Sequence, residues 1–434
     1  MATPEGCDMK DSNETQTVPE TQIRERTHTE TTVTTAFAQL KEREEQVICS
    51  TYGRYPLAVK KAHGARLVDL EGKEYVDLLA GIAVAGLGHS RPELTKVMAE
   101  QADKLLHVSN LFYQEEHVVL AEKLLATCAQ SHPQGKVFFS NSGAEANEAA
   151  IKLARRYMRT IKDRDAYEII TLAGSFHGRT LATITATGQD AVKEHFHPLP
   201  EGFTTVAWND LDALSSAITD KTAAVLVEIV QGEGGVRPMD AAYAQGIQDL
   251  CRERGILFMV DEVQAGLCRT GRFWAFQHFG LEPDVFTTAK ALANGLPMGA
   301  MVATNEAARG FAPGAHATTF GGGGVLSAVA AKVLDILVEE QLCVRAAELG
   351  EYALELFEGL KAKYPGKIAE VRGLGLMIGI ELAEPGQDVW QALMDRRFVL
   401  NLAHGKVLRL LPPLVIDKAD VEAFAEALGE VLAG

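Results

Sequence analysis

The sequence predicts an α/β fold, in which a large, doubly wound and mostly parallel sheet is joined by a smaller α+β domain from both chain ends. Continuous apolar, β-branched runs at 168–172 and 256–260 alternate with helical stretches at 144–159 and 241–254. This alternation is typical of a parallel sheet that helices cover on both faces. The chain has 434 residues, 47% of them hydrophobic, so it can bury a large core and form more than one domain.

The first 80 residues divide into a tail and the start of the small domain. Residues 1–33 are rich in Thr, Glu, Asp and Gln and almost lack large apolar side chains, which predicts a disordered polar tail. Residues 34–80 are expected to form the N-terminal part of the small domain. They begin with an amphipathic helix that ends near Val47 and continue with a hairpin that turns at Glu71 and Gly72.

The alternating runs place the large domain at residues 81–324, and the four glycines at its end precede a C-terminal part of the small domain at residues 325–434. The elements expected in this last part are two helices, two extended segments and a closing helix, at 325–338, 343–363, 371–382, 407–411 and from Lys418 onward. The large domain should also contain strands at 137–140 and 223–230.

Charge and cysteine content exclude several classes of protein. The 42 basic and 58 acidic residues give a net charge of −16, which argues against a nucleic-acid or anionic membrane partner. No apolar stretch approaches the ~20 residues that a membrane span needs, and the first residues resemble neither a secretory signal nor a transit peptide. The cysteines are scattered without a CxxC pair, which favours a reducing compartment and a cytoplasmic location: Cys7, Cys49, Cys128, Cys251, Cys268 and Cys343.

A carboxylate and a lysine form the most informative pair in the chain. Asp261 ends an apolar strand, and Lys290 follows 29 residues later after two threonines. Pyridoxal phosphate needs a lysine to bind its aldehyde and an anion beside its ring nitrogen, so the pair suggests this cofactor. Either residue taken alone would favour a structural interpretation, in which Asp261 caps the next turn and Lys290 is a solvated surface lysine.

Four further segments carry polar groups that suit such a cofactor. Residues 140–148 link a strand to an alanine-rich helix, whose N-terminus could bind a phosphate or could simply be capped. Residues 175–180 offer Phe176 or His177 for stacking and Arg179 for a carboxylate. The other two are glycine-rich, at 228–235 with Glu233 and at 316–324 with Thr319, and either could be a plain loop.

Taken together, these segments resemble the class III pyridoxal-phosphate aminotransferases over about residues 50–434. The resemblance implies the fold-type-I architecture, with a large cofactor-binding domain and a small domain. No metal is expected at the site. The matching segments, in the family's order, are NSGAEANE, SFHGRT, VQGEGGV, DEVQAGLCRTGR, TTAKALANG, TTFGGG, VRGLGLMIGIEL and LRLLPPLVI.

The resemblance assigns the residues around the cofactor ring. Lys290 would bind the aldehyde and, once displaced by substrate, would move the proton between the substrate carbon and the cofactor. Asp261 would pair with the ring nitrogen, and Gln264 would bond the phenolic oxygen. Phe176 would stack on the ring, next to His177.

The resemblance also assigns the phosphate contacts and, through them, an oligomeric state. Ser142, Gly143 and Ala144 would cradle the phosphate. Thr319 would reach the phosphate of a neighbouring subunit, which implies a homodimer with shared active sites.

The substrate contacts implied by the resemblance separate two reactants. Arg179 would bind the carboxylate of the amine donor, expected to be N-acetylornithine. Glu233 and Arg409 would form a pair that hides the arginine and then frees it for the dicarboxylate acceptor, 2-oxoglutarate. Donor choice would depend on the loop near Tyr52 and Tyr55.

Three departures from the family pattern and three alternatives remain at this point. Ile229 stands where the family often has proline, and Gly323 and Gly324 stand where it has Asn-Pro. Cys268 replaces a common glycine, which raises the hypothesis of a thiol-sensitive site.

The first alternative function is another ω-aminotransferase, acting on ornithine, succinylornithine or 4-aminobutyrate. The second is a cofactor-dependent aminomutase or racemase, and the third is a cofactor-binding protein without turnover.

Overall fold

The computed structural model describes residues 35–434, so the polar tail expected at 1–33 lies outside the described residues. The chain separates into one unit that ends at Ala58 and a second unit that spans Val59–Gly434. The boundaries expected at 80/81 and 324/325 between a small and a large domain stay predictions.

The described part of the first unit consists of one helix, α1, and the segment that follows it. The helix spans Ala36–Val47, close to the range expected from its pattern, and Thr35 caps it by accepting a 3.2 Å hydrogen bond from the Ala38 N–H. None of its residues is buried. A groove of about 480 Å³ lies between this helix and residues 48–58, with Tyr52 and Tyr55 in its lining.

The described strands of the second unit belong to four sheets. In chain order they are β1 Val59–His63, β2 Arg66–Asp69, β3 Glu74–Asp77, β4 Lys136–Ser140, β5 Glu168–Leu172, β6 Phe203–Val206, β7 Thr222–Val227, β8 Val230–Gln231, β9 Arg237–Pro238, β10 Leu257–Asp261, β11 Val285–Thr288, β12 Gly299–Ala303, β13 Ile368–Leu374, β14 Met377–Leu382, β15 Phe398–Val399, β16 Asn401–Ala403 and β17 Val407–Leu410.

The helices of this unit follow most of the periodic stretches of the sequence. They are α2 Ala80–Ala83, α3 Pro92–Lys104, α4 Glu115–Ala126, α5 Gly143–Thr160, α6 Leu181–Ala186, α7 Leu211–Ala217, α8 Ala241–Arg254, α9 Asn305–Ala308, α10 Gly324–Glu339, α11 Leu342–Lys363, α12 Gln387–Asp395 and α13 Lys418–Ala433. Short 3₁₀ turns occur at Asp190–Val192, Ala275–Phe279 and Lys290–Ala293. Among the described residues, no helix combines the length and the apolar character that crossing a bilayer requires.

The central sheet has seven strands in the order β4-β12-β11-β10-β7-β5-β6. Only β12 runs antiparallel to its neighbours, so the sheet is mostly parallel, as the alternation of strands and helices predicts. Every residue of β7 and β10 is buried, because helices cover both faces of such a sheet. Helix α8 shows how local sequence sets the limits of a helix. Asp240 caps its first turn, and Gly255, with its backbone in the left-handed region, ends it.

Two smaller four-stranded sheets use segments that are distant in the sequence. One has the order β1-β2-β3-β15, so residues 398–399 pair with the hairpin predicted around Glu71 and Gly72. The other, β13-β14-β17-β16, is antiparallel. The segment 371–382 is a hairpin that turns between Leu374 and Met377, and its apolar pattern alone does not reveal that turn.

Two sequence expectations need correction in this unit. The strand expected to continue to residue 230 ends at Val227, since the chain turns at Glu228 and Ile229 and the next two residues pair with β9. Cys268 is not a free thiol, because it forms a disulfide with Cys343. The two cysteines are 75 positions apart in the sequence, which hides this pairing from any motif search.

Candidate active site

A cavity of about 470 Å³ lies at the carboxyl ends of the parallel strands, where ligands bind in open α/β sheets. It brings together ten of the residues singled out in the sequence: Ser142, Gly143, Ala144, Phe176, His177, Arg179, Glu233, Asp261, Gln264 and Lys290. These residues come from five separate segments, so the fold assembles what the sequence scatters.

Asp261 is held by three hydrogen-bond donors at the end of β10. One of its carboxylate oxygens accepts the Val263 N–H at 3.0 Å. The other oxygen accepts the Asn147 amide at 2.8 Å and lies 2.9 Å from Nδ1 of His177. The side chain is 4% exposed, and the three donors fix the orientation of its carboxylate.

Lys290 lies two residues after the end of β11, the strand beside β10, and it lines the cavity. Burial is the largest influence on this amine and lowers its pKa. The charge of Arg409 acts in the same direction, whereas the nearby carboxylates, Glu233 foremost, oppose it. A lysine with a lowered pKa has more of its neutral, nucleophilic form near neutral pH.

The N-terminus of α5 opens on the cavity. Ser142 caps the helix: its hydroxyl accepts the Glu145 N–H at 3.2 Å, and its carbonyl accepts the Ala146 N–H at 3.0 Å. The N–H groups of Gly143 and Ala144 have no acceptor among the described residues. A helix N-terminus with two free N–H groups can bind a phosphate.

Phe176 and Arg179 lie side by side at the cavity. The Arg179 guanidinium is 5.4 Å from the centre of the Phe176 ring, and Arg179 is exposed. The backbone N–H of Phe176 donates to Glu228 at 2.9 Å. The arginine can therefore meet a ligand carboxylate at the cavity, next to an aromatic face.

Glu233 and Arg409 form the ion pair that the sequence comparison with the family suggested, with 2.6 Å between Oε1 and Nη1. Arg409 is 1% exposed and does not line the cavity, whereas Glu233 does. Burial opposes ionisation of Glu233, but the charge and hydrogen bond of Arg409 outweigh it, so the pKa of Glu233 is lowered. The glutamate therefore stays ionised at neutral pH and stands between the arginine and the cavity.

Two predicted site residues of the second unit do not line this cavity, Arg409 and Thr319. Thr319 is exposed and lines a separate cavity of about 690 Å³ with Ser109 and Asn110. Tyr52 and Tyr55 belong to the first unit, and their part in donor choice stays a prediction.

Sequence reasoning missed Asn147 and undervalued Glu228. Both line the cavity and are buried, and both contact residues that were singled out: Asn147 bonds Asp261, and Glu228 bonds the Phe176 N–H. In the sequence Asn147 is one residue of the segment 140–148, and its place four residues after Gly143 puts it on the same helix face as the turn with the two free N–H groups. That spacing could have identified it.

Buried polar atoms in this cavity favour a polar bound molecule. Oε1 of Gln264 and Nε2 of His177 are buried and have no hydrogen-bond partner among the described residues. A buried polar atom without a partner is costly, so a bound molecule that supplies partners is favoured. The site thus fits a class of protein: an enzyme whose helix N-terminus can hold a phosphate and whose buried lysine can react with a bound cofactor.

Comparison with known proteins agrees with this class. The model of the aminotransferase class-III family matches residues 48–432. The acetylornithine aminotransferase of Methanocaldococcus jannaschii is 42% identical over 388 residues, which cover 89% of this chain and 96% of that relative. The chain therefore belongs to the class-III aminotransferases, and its cofactor is pyridoxal 5′-phosphate.

Solved structures show the same architecture. The ornithine aminotransferase of Toxoplasma gondii superposes with a TM-score of 0.87 at 30% identity, covering 92% of this chain and 95% of that one. The acetylornithine aminotransferase of Elizabethkingia anophelis gives a TM-score of 0.81, also at 30% identity, and covers 92% and 99%. These matches confirm the fold-type-I α/β architecture that the sequence pattern and motifs predicted.

Proposed function

We propose that this enzyme transfers the δ-amino group of N2-acetylornithine to 2-oxoglutarate. The products are N-acetylglutamate 5-semialdehyde and glutamate, which places the reaction in arginine biosynthesis. Relatives named acetylornithine aminotransferase, at 42–45% identity over about nine-tenths of the chain, support this donor.

The observation that carries the proposal is the arrangement of two arginines. Arg179 is exposed at the cavity, whereas Arg409 is masked by Glu233. A donor with one carboxylate needs Arg179 alone, which leaves its distal amine free to reach the cofactor. A dicarboxylate acceptor needs a second cation, and its second carboxylate can compete with Glu233 for Arg409. One cavity can thus serve two unlike substrates in turn.

The bound cofactor supplies an electron-accepting ring, and the chain's residues are proposed to hold and orient it. Asp261 would keep the proton on the ring nitrogen, and Gln264 would bond the phenolic oxygen. The N–H groups of Gly143 and Ala144, with Ser142, would bind the phosphate. Lys290 would carry the proton that moves during transfer.

A homodimer with shared active sites belongs to the same proposal. Large apolar side chains are exposed on two segments: Leu105, Leu106, Leu111, Phe112, Tyr113 and Phe320. The segments touch, since the Asn110 amide donates to the carbonyls of Thr318 and Gly321. An apolar surface of this kind marks a protein interface, and Thr319 lies within it. A cytoplasmic location is part of the same proposal, in which the Cys268–Cys343 disulfide would be an exception to the reduced thiols that are usual there.

The donor is tested by mixing the purified holoenzyme with one amine at a time and following the cofactor's absorbance as it takes up the amino group. We expect N2-acetylornithine to react at least tenfold faster than ornithine, succinylornithine or 4-aminobutyrate at equal concentration. A faster reaction with one of those amines would keep the family and replace the substrate. No reaction with any of them would favour an aminomutase or a racemase.

A further inference from the structure

Asn147 makes three hydrogen bonds at the floor of the cavity and is 1% exposed. Its amide nitrogen donates to Oδ2 of Asp261 and to the backbone carbonyl of His177, both at 2.8 Å. Its amide oxygen accepts the hydroxyl of Thr287 at 2.7 Å. These bonds connect α5, β10, β11 and the segment that follows β5.

The orientation of this amide is fixed by its partners. The Asp261 carboxylate and the His177 carbonyl are acceptors only, so the amide nitrogen must face them. The opposite orientation would place an oxygen against both acceptors and would leave the Asp261 charge with one donor fewer. The Thr287 hydroxyl holds the amide from the other side. Asn147 is therefore a directed donor to Asp261.

Helix α5 places this donor one turn beyond the phosphate-binding N–H groups. Gly143 and Asn147 are four residues apart, which puts them on one face of the helix. The same rigid element therefore meets the phosphate end of the cofactor and the carboxylate that serves its ring nitrogen.

We propose that Asn147 is a positioning residue that holds the Asp261 carboxylate in the orientation needed to meet the ring nitrogen of the cofactor. The proposal rests on the role proposed above for Asp261. The Asn147 amide is one of three donors that hold the carboxylate, so its loss would leave Asp261 less firmly oriented. A misdirected carboxylate would pair less well with the ring nitrogen, so that nitrogen would be protonated less fully and the ring would be held less firmly.

Three variants test this role. Asn147→Leu keeps a similar volume and removes both amide donors. Thr287→Val is nearly isosteric and removes only the hydroxyl that orients the amide. Thr171→Val is the matched control, because Thr171 is also a fully buried threonine of the central sheet but contacts Thr205 and not the cavity.

Two measurements are made on each holoenzyme without substrate. Equilibrium dialysis gives the affinity for pyridoxal phosphate, and the ¹⁵N resonance of ring-labelled cofactor reports the protonation of its nitrogen. For Asn147→Leu we expect at least tenfold weaker binding and a resonance shifted toward the unprotonated form. Thr287→Val should shift both in the same direction, with two- to fivefold weaker binding, and Thr171→Val should change neither.

The outcomes separate this role from general packing and from the proposed function. Unchanged affinity and resonance in Asn147→Leu would overturn the proposal, and so would an equal loss in Thr171→Val. If Asn147→Leu fails to fold, an unshifted resonance in Thr287→Val overturns it. The donor preference plays no part in these measurements, so a different amine donor would leave their result intact.

Discussion

At the scale of single residues, the cavity contains a second buried carboxylate that the two-substrate scheme does not use. Glu228 is 6% exposed, and it accepts the Phe176 N–H beside Asp261, His177 and Lys290. Burial is the largest influence and raises the pKa of Glu228 to about 7, and the charge of Asp261 acts in the same direction. The charges of His177 and Lys290 and the Phe176 bond oppose this rise.

A raised pKa makes a prediction about stability. The folded protein binds this proton more tightly than the unfolded chain does, so Glu228 stabilises the fold at pH values below its ordinary pKa. That contribution is lost as the pH rises from about 4.5 to 7. We expect the difference between the free energies of unfolding of Glu228→Gln and the wild type to change by roughly 2–3 kcal/mol across this range, in favour of the variant as the pH rises.

Urea unfolding of both proteins at pH 5, 6, 7 and 8, with equal cofactor concentrations, measures the difference. Glu306→Gln is the control for the loss of one carboxylate, because Glu306 is exposed and does not line the cavity. A difference between Glu228→Gln and the wild type that stays constant with pH would contradict the prediction.

At the scale of elements, a disulfide ties the loop after β10 to the start of α11. Cys268 lies four residues beyond Gln264 and is completely buried, with its backbone in the left-handed region at φ 68°. Its partner Cys343 is the second residue of α11. The next residue in the loop, Arg269, is also buried and donates to the carbonyls of Leu376 and Pro412. The loop that begins at the site is thus fastened to the C-terminal segments.

This cross-link predicts a redox-dependent stability. A link across 75 residues reduces the entropy of the unfolded chain, so breaking it should cost up to about 4 kcal/mol of unfolding free energy. Cys343→Ser should show this loss, and reductant should lower the stability of the wild type while leaving the variant unchanged. Thiol titration of the unfolded wild type should also gain two thiols on reduction.

Cys49→Ser is the control for this experiment, because Cys49 is exposed and unpaired in the structure. It should match the wild type with and without reductant. Equal stability of oxidised and reduced wild type would refute the prediction.

Local patterns predicted the central elements well because each carries its own signal. Asp240 and Gly255 bracket a helix whose range matches the expected one, and β10 and α5 lie within a residue or two of their predicted limits. The Glu233–Arg409 contact, by contrast, joins residues 176 positions apart, and only the resemblance to a family suggested it. Neither a local pattern nor the family resemblance indicated the Cys268–Cys343 link or the Asn147 bonds, since they arise from packing between distant segments.

At the scale of the whole molecule, the position of Thr319 outside its own chain's cavity predicts shared active sites. Coexpression of Lys290→Ala with Thr319→Asp tests this, because each variant alone should be inactive. In a mixed dimer, one site would combine an intact Lys290 with an intact Thr319 from the other subunit. Statistical pairing should therefore restore about a quarter of the wild-type activity per dimer.

The same mixture distinguishes the two arrangements of Thr319. If Thr319 serves the cavity of its own chain, every site in the mixture carries a defect, and no activity returns. Light scattering of each variant shows whether dimers form at all. Monomers at micromolar concentration would contradict the proposed interface at Leu106, Leu111 and Phe112.

The central claim is that Glu233 masks Arg409 from the donor and yields it to the acceptor. Glu233→Gln removes the charge that holds the guanidinium, and Glu381→Gln, at a partly exposed glutamate paired with Arg372, is the matched control. The decisive measurement is the rate at which the cofactor of each holoenzyme accepts nitrogen from glutamate relative to N2-acetylornithine. We expect Glu233→Gln to raise this ratio at least tenfold and Glu381→Gln to leave it unchanged. An unchanged ratio in Glu233→Gln would show that the ion pair does not separate the two substrates.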